Sequence, residues 1–237
     1  KKILKMNNEN FKIIFEKNNE MKWPNLFIVG APKAGTHSLY EYLNTHPDIF
    51  MANRKEPYFF CPNIIPKNDI SKPIRDEEKY LELFNEVKNE KYFGEATASY
   101  LRDPEAALLI YEKNPKAKIL ISLRNPTHRA FSQYTGFLRG EFLSGSFREN
   151  IHSHLKDLEQ KKYNRNILHG GFYYEQVKKF LDVFPKEQVM IISFESFIEN
   201  PQNTINDILE FLGLEKKIKF KPILYGGYQS KLKKSRE

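Results

Sequence analysis

Two patterns of apolar positions alternate along the chain. Short continuous apolar runs have the length of buried strands, and longer stretches repeat apolar residues every three or four positions, as amphipathic helices do. The runs predict strands at residues 26–29, 92–96, 118–123 and 188–194. The repeats predict helices at residues 36–43, 76–87, 104–113, 129–138 (opened by Pro126), 147–158, 172–184 and 201–213, with residues 53–73 as loop.

This alternation predicts an α/β fold. Strands that are apolar throughout indicate a parallel sheet with both faces covered, so we expect a three-layer, P-loop-like architecture with a central parallel sheet flanked by helices. Ligands bind beyond the carboxyl ends of such strands. The loops after residues 29, 96, 123 and 194 are therefore expected to meet at one site. We expect one domain over residues 1–237, with its core at about 24–214 and a basic tail at 215–237.

The net charge of +8 is concentrated at the C-terminus. Residues 216–237 hold eight Lys and Arg against Glu237 alone, which leaves the body of the chain near neutral. A nucleic-acid-binding domain usually has a basic face throughout, so we expect no nucleic-acid partner. The tail is either a solvated segment or a basic loop that closes over an anionic ligand.

Cysteine content and hydropathy bear on the compartment. Cys61 is the single cysteine, which excludes an internal disulfide and favours a reducing, cytoplasmic environment. No apolar run is long enough to span a membrane. Because the sequence starts at Lys1 rather than Met, a trimmed leader or anchor stays open, and with it a Golgi-type lumen.

The segment from Gly30 to Ser38 lies between the first predicted strand and its helix. Free backbone N–H groups and the helix dipole favour an anion at such a junction. Small residues allow close approach, Lys33 adds a cation, and the hydroxyls of Thr36 and Ser38 can donate to phosphate oxygens. The sequence therefore predicts a phosphate-binding loop.

The loop does not match that of nucleoside-triphosphate enzymes. Their pattern places Gly-Lys-Ser/Thr at the end of the loop, whereas here Gly35 precedes Thr36 and the lysine stands inside the loop. A magnesium-dependent kinase would also need an acidic residue after a buried strand, but strand 118–123 continues into Arg124. A cation there suits a second phosphate, and we expect no metal.

These two segments resemble the sulfotransferases that use 3′-phosphoadenosine 5′-phosphosulfate (PAPS). Residues 27–39 resemble the family's 5′-phosphosulfate loop, and residues 123–134 resemble its 3′-phosphate segment, in the correct order. Gly171-Phe172-Tyr173, Phe184-Pro185 and the final predicted helix are similar to later parts of the family's core. The resemblance covers residues 26–214.

The resemblance assigns roles to individual residues. It implies that Lys33 is catalytic and contacts the bridging oxygen and the sulfuryl group. Arg124 and Ser132 match the residues that hold the 3′-phosphate. The 5′-phosphate is expected to lie on the loop residues Pro32, Lys33, Ala34, Gly35, Thr36, His37 and Ser38.

Transfer to a hydroxyl needs a base to take the proton. Glu56 lies in a segment similar to that of heparan sulfate-type and related bacterial sulfotransferases with a glutamate base. Arg54 and Lys55 are expected to lower the pKa of Glu56 or to bind an acidic acceptor, and Tyr58 is a further acceptor-site candidate. His46 is the rival base, because small-molecule sulfotransferases use histidine, although a structural role for it is favoured here.

The chain also departs from the heparan-type pattern. Some glycosaminoglycan enzymes have lysine at the position of Ala96 and an acidic residue at that of Cys61, and both contact the acceptor there. Their absence counts against a heparan-type acceptor. Glu95 is an acceptor-site candidate for which a structural hydrogen-bonding role is equally favoured.

The sequence therefore predicts an enzyme that moves the sulfuryl group of PAPS to an acceptor hydroxyl, a saccharide being one candidate, and releases adenosine 3′,5′-bisphosphate (PAP). Two alternatives stay open. One is a phosphate-loop kinase, and the other is a non-catalytic nucleotide- or RNA-binding module that uses the basic tail.

Overall fold

A computed structural model describes residues 23–64, 72–162 and 166–215 of the chain. The basic segment 216–237, and with it the expectation that this tail closes over a ligand, lies outside the described residues.

The described strands form one five-stranded sheet in the order β2-β3-β1-β4-β5, and every neighbouring pair is parallel. This confirms the predicted fold class. The sequence patterns missed β2, because three residues directly after a helical turn are too few to establish a pattern. The strands are β1 (Leu26–Gly30), β2 (Ile49–Met51), β3 (Tyr92–Ala96), β4 (Lys118–Leu123) and β5 (Val189–Ser193).

Helices connect the strands and cover the sheet. No helix within the described ranges has the length and apolar content to cross a membrane. The helices are α1 (Thr36–Leu43), α2 (Glu77–Leu81), α3 (Ala106–Lys113), α4 (Pro126–Arg139), α5 (Phe147–Glu159), α6 (Tyr173–Val183), α7 (Phe194–Glu199) and α8 (Pro201–Phe211), with single 3₁₀ turns at Glu82–Phe84, His169–Gly171 and Lys186–Gln188.

Three predicted boundaries were wrong. The helix expected over residues 76–87 is only α2 plus a 3₁₀ turn, and the helix expected from Pro104 starts at Ala106. The strand expected to include Phe194 ends one residue earlier, because the Ser193 side chain accepts a hydrogen bond from the Ser196 N–H and begins α7. The prediction was too long because Phe194, the first residue of α7, continues the apolar run of the strand.

The centre of the sheet is fully enclosed. Every residue of β1 is buried, which requires cover on both faces, and α1 packs against α8 while α3 packs against α6. Gly94 allows β3 to lie close to β1, since a Cβ there would come within 1.8 Å of the Leu26 carbonyl oxygen. The core therefore fixes the spacing of the two strands whose carboxyl ends border the site.

Strand order also explains where the site lies. The chain leaves β1 toward β2 and leaves β4 toward β5, so adjacent strands diverge and open a crevice at their carboxyl ends. The loops after β1 and β3 meet there, as predicted, and Arg124 connects the loop after β4 to them. The segment after β2, which the prediction lacked, joins them with Glu56. The start of α7 joins them, with the Arg124 guanidinium 4.6 Å from the Phe194 ring centre.

Candidate active site

A cleft of about 470 Å³ lies at the carboxyl ends of β1 and β3, with one wall formed by α4. It brings together residues from four separate parts of the chain. The lining residues are Pro32, Lys33, Gly35, Thr36, His37, Glu56, Tyr58, Ala98, Ser99, Arg102, Gln133, Gly136 and Phe137.

The phosphate-type loop is held on β4 by hydrogen bonds. Ala31 N–H donates to the Ser122 carbonyl at 2.6 Å, and the Ser122 hydroxyl donates to the Ala34 carbonyl at 2.6 Å. The Arg124 guanidinium donates to the Lys33 carbonyl at 3.1 Å. These bonds use one backbone N–H and two backbone carbonyls of the loop, so they fix its shape and leave the Lys33 side chain to the cleft.

Gly35 forms the N-cap of α1 in the left-handed region, with φ of 81°. A Cβ at this position would lie 2.8 Å from the Phe194 ring, so the turn needs a glycine. Glycine offers no side-chain acceptor to the first N–H groups of the helix, and the first turn contains no acidic residue. The helix start is therefore suited to an anionic ligand.

Lys33 extends along α4. A Cβ at Gly136 would be 3.2 Å from the Lys33 Nζ, so the absence of a side chain there leaves room for the ammonium group. Burial against the cleft wall lowers the pKa of Lys33, and the positive charges of Arg139 and Arg124 lower it further. A nearby anion would be attracted to all three cations.

Some of the residues predicted to contact the nucleotide are not among the residues that line the cleft. Arg124 is buried behind the loop and is not among the lining residues, and Ser132 is half-buried on α4 next to the lining residue Gln133. Ala34 is buried and contributes its backbone, while Ser38 lies within the first turn of α1 outside the lining.

Glu56 is held at the end of β3 by its own backbone and side chain. Its N–H donates to the Ala96 carbonyl at 3.1 Å, and its Oε1 accepts from the Ala98 N–H at 3.2 Å. The following residues Phe59 and Phe60 anchor the segment in an aromatic cluster, where Phe59 stacks on Tyr80 with ring centres 4.2 Å apart. The carboxylate is thus fixed at the cleft wall.

Burial raises the pKa of Glu56 to about 7, although the Ala98 N–H, the Tyr58 hydroxyl and the Arg102 charge partly offset it. The expectation that Arg54 and Lys55 would lower this pKa was wrong. Both side chains turn away: Arg54 donates to the Lys72 carbonyl and Lys55 donates to Glu41.

The Lys55 ammonium is engaged at the rim of the cleft. It lies 2.6 Å from His37 Nδ1 and 4.0 Å from the centre of the Tyr40 ring, in addition to its bond with Glu41. His37 lines the cleft as expected, but Lys55 does not, and neither does Arg54. Tyr58 is the acceptor-site candidate that the structure brings into the cleft beside Glu56.

The acceptor-contact interpretation of Glu95 was wrong. Glu95 is completely buried, and its carboxyl oxygens accept from the hydroxyls of Tyr100 at 2.6 Å, Thr97 at 2.7 Å and Tyr80 at 3.3 Å. The Tyr100 hydroxyl in turn accepts from the Phe60 N–H at 3.3 Å. Glu95 therefore ties β3 to the segment that holds Glu56.

His46 lies away from the cleft. Its buried ring accepts from the Asp48 N–H at Nδ1 over 3.1 Å, which leaves Nε2 to donate to the Glu215 carbonyl at 3.3 Å. Both ring nitrogens are used in the fold, which supports the structural interpretation of this histidine.

Several lining residues were missed from the sequence. Gln133, Gly136 and Phe137 lie on one face of α4, and their helical spacing was a signal that could have revealed them once Arg124 was placed at the site. Ser99 and Arg102 come from the turn after β3, where no spacing or motif in the sequence distinguishes them.

The sheet and the loop after β1 define an α/β protein with a P-loop-like fold, and comparison with known proteins gives its family. The sulfotransferase domain family model matches residues 24–236, so the chain belongs to that family. This confirms the family that the two motifs indicated.

Solved structures similar to this chain are also sulfotransferases. A solved sulfotransferase from Alicyclobacillus acidocaldarius is 38% identical, with a TM-score of 0.78 and 90% of each chain covered. A mouse sulfotransferase solved with PAP is 19% identical, with a TM-score of 0.54 over 90% of this chain and 64% of that one, and it supports the fold alone.

Curated relatives include carbohydrate sulfotransferase 15 of Mus musculus, 26% identical over 81% of this chain and 44% of its own. Heparan sulfate glucosamine 3-O-sulfotransferase 6 of Homo sapiens is 28% identical over 82% of this chain and 54% of its own. The chain thus spans about half the length of these two relatives.

The raised pKa of Glu56 predicts a pH-dependent effect on stability. A carboxyl whose pKa rises from 4.5 to about 7 on folding contributes stability at low pH that is lost as pH rises through 7. We expect Glu56→Gln to increase the free energy of unfolding at pH 8 by about 2 kcal/mol more than at pH 5. Urea unfolding at both pH values measures this difference.

The control is Glu112→Gln, an exposed glutamate on α3, which should show the same difference from wild type at both pH values. A Glu56→Gln variant whose stability differs from wild type by the same amount at pH 5 and pH 8 would contradict the raised pKa of Glu56.

Proposed function

We propose that this chain transfers the sulfuryl group of PAPS to an acceptor hydroxyl and releases PAP. The observation that carries the proposal is one cleft in which the phosphate loop and Lys33 face a carboxylate, Glu56, whose pKa lies near neutrality. The names of the curated relatives make a saccharide hydroxyl the first acceptor class to test. We propose that one domain carries this activity.

The nucleotide side of the proposed site consists of backbone N–H groups and cations. The N–H groups at the start of α1, which the N-cap residue Gly35 does not cap with a side chain, suit the 5′-phosphate, and Thr36 lies beside them with its hydroxyl. Arg124 follows β4 and Ser132 lies two helical turns later, which supports their assignment to the 3′-phosphate. These groups neutralise phosphate charge without a metal ion.

PAPS supplies the activated sulfuryl group, and the chain supplies the proton acceptor and the charge stabilisation. Glu56 takes the hydroxyl proton as the acceptor oxygen forms its bond to sulfur. Lys33 stabilises the negative charge that builds on the phosphate oxygen as its bond to sulfur breaks. With a pKa near 7, Glu56 is both ionised often enough to act and basic enough to accept the proton.

The two alternatives have less support. A kinase would need an acidic residue at the end of a central strand to hold magnesium, and β4 ends beside Arg124. A non-catalytic binding module would not require a base, yet Glu56 is held in the cleft against a desolvation cost.

The proposal is tested first by nucleotide binding. We expect PAP to bind with chelator present, because cations and backbone N–H groups supply the field that kinases take partly from magnesium. Calorimetry should give tighter binding for PAP than for ATP with magnesium. Clear preference for magnesium-ATP would overturn the assignment.

Lys33→Ala should lower kcat more than it lowers PAP affinity, because the lysine interaction strengthens in the transition state while several N–H groups share ground-state binding. The expected loss of transition-state stabilisation is about 2–4 kcal/mol. Transfer of labelled sulfate from PAPS measures it, with the exposed Lys116→Ala as the charge-matched control. Normal turnover with poor nucleotide binding would contradict this role.

Glu56→Gln should reduce transfer by about 10²–10⁴-fold while PAP affinity is retained, because an amide cannot accept the proton. Wild-type kcat/KM should rise with pH around a midpoint near 7, the pKa of Glu56.

A histidine base would give a similar midpoint, so the pH profile cannot distinguish the two bases and the variants must. His46→Ala should lower stability, since its ring links Asp48 and Glu215, and keep most turnover in the folded fraction. Full transfer activity in Glu56→Gln and none in His46→Ala would make His46 the base.

A further inference from the structure

Arg102 is a cation that the proposed chemistry does not use. It lines the cleft beside Ser99, Tyr58 and Glu56. Among the described residues, its guanidinium makes one long hydrogen bond, from Nη2 to the Ser99 hydroxyl at 3.4 Å. Its buried Nε has no hydrogen-bond partner within the described part of the chain.

The nearby carboxylates make their hydrogen bonds to groups other than Arg102. Asp103 accepts instead from the Asn63 N–H at 3.0 Å, the Asn63 side-chain amide at 3.2 Å and the Glu105 N–H at 2.9 Å. Glu56 accepts from Ala98. Across residues 23–64, 72–162 and 166–215, Arg102 forms no salt bridge.

Desolvation is costly for a guanidinium that is not paired directly with a carboxylate. Burial lowers the pKa of Arg102, which reflects this cost, while the charges around it act in the opposite direction. Such a group is expected to gain an anionic partner when the cleft is filled.

Strand order separates Arg102 from Arg124, the cation assigned to the 3′-phosphate. Arg124 follows β4, on one side of β1, whereas Arg102 follows β3, on the other side. Glu56, which would touch the acceptor hydroxyl, hydrogen-bonds to the backbone at the end of β3 as well. Arg102 and the base therefore belong to the acceptor half of the cleft.

We propose that Arg102 binds an acidic substituent of the acceptor, a carboxylate or a sulfate ester, on the same molecule as the hydroxyl that Glu56 deprotonates. The inference rests on the proposed function and narrows its acceptor to anionic molecules. Arg102 is then a specificity-determining residue, since the planar guanidinium can donate two parallel hydrogen bonds to such an oxyanion.

Matched acceptors test this proposal. We would compare 4-nitrophenyl β-D-glucoside with the corresponding glucuronide and with the glucoside 6-sulfate, at saturating PAPS. Wild type should favour at least one acidic acceptor about tenfold or more in kcat/KM. Arg102→Gln should lower the ratio of kcat/KM for that acceptor to kcat/KM for the neutral glucoside about 10- to 100-fold, as loss of a hydrogen bond to a charged group implies. The ratio is compared because removing the Arg102 charge, which partly offsets the raised pKa of Glu56, affects transfer to every acceptor.

Arg102→Lys should keep part of the preference because it retains the charge but not the paired donors. The control is Arg148→Gln, which removes the same charge from an exposed position on α5 and should leave the preference unchanged. PAP affinity should be equal in all four proteins.

A second measurement does not depend on the fold of a variant. Calorimetry on the wild-type PAP complex should detect the preferred acidic sugar at lower concentration than the neutral one. Equal binding of all three sugars, or of none, overturns the role of Arg102. The proposed function is judged separately, by PAP binding and by label transfer from PAPS to any hydroxyl acceptor.

Discussion

Ser122, near the end of β4, holds the phosphate-type loop at two points, with its carbonyl accepting from Ala31 and its hydroxyl donating to Ala34. Because β4 and β1 are neighbours, these bonds lock the end of one strand onto the loop that leaves the other. The direction of Lys33 and the start of α1 follow from this attachment. A cleft built in this way needs no rearrangement of the loop to present its N–H groups to an anion, which is the condition for preorganised charge stabilisation.

The site residues that could be predicted from the sequence are those that lie together in one short segment. The loop around Lys33 and the strand end at Arg124 each carry their chemistry within about ten residues, so pattern and resemblance located both. The parallel sheet followed from apolar runs of five or six residues, and β2 was missed because three residues form no pattern. Arg102 and Ser99 become functional candidates only through the pairing of β3 with β1, which no local pattern encodes.

Glu56 shows why sequence neighbours misled the electrostatic prediction. Glu56 and Tyr58 both have left-handed backbone angles, with φ of 52° and 55°, so adjacent side chains diverge. Arg54 and Lys55 therefore bind other partners, and burial alone decides the direction of the Glu56 pKa. Glu95 beneath it has its pKa raised to about 7 as well, first by burial and also by the charge of Glu56. The two carboxyls thus oppose each other's ionisation, and an event that protonates one favours ionisation of the other.

The placement of cationic groups on opposite sides of β1 bears on how independently the two halves of the cleft can change. Arg124 approaches from the β4 side, and Arg102 and Glu56 approach from the β3 side, with Lys33 between them. For the proposed function, the residues assigned to the nucleotide and those assigned to the acceptor therefore follow different strands. A substitution on the β3 side can alter the choice of acceptor without replacing any residue assigned to the nucleotide.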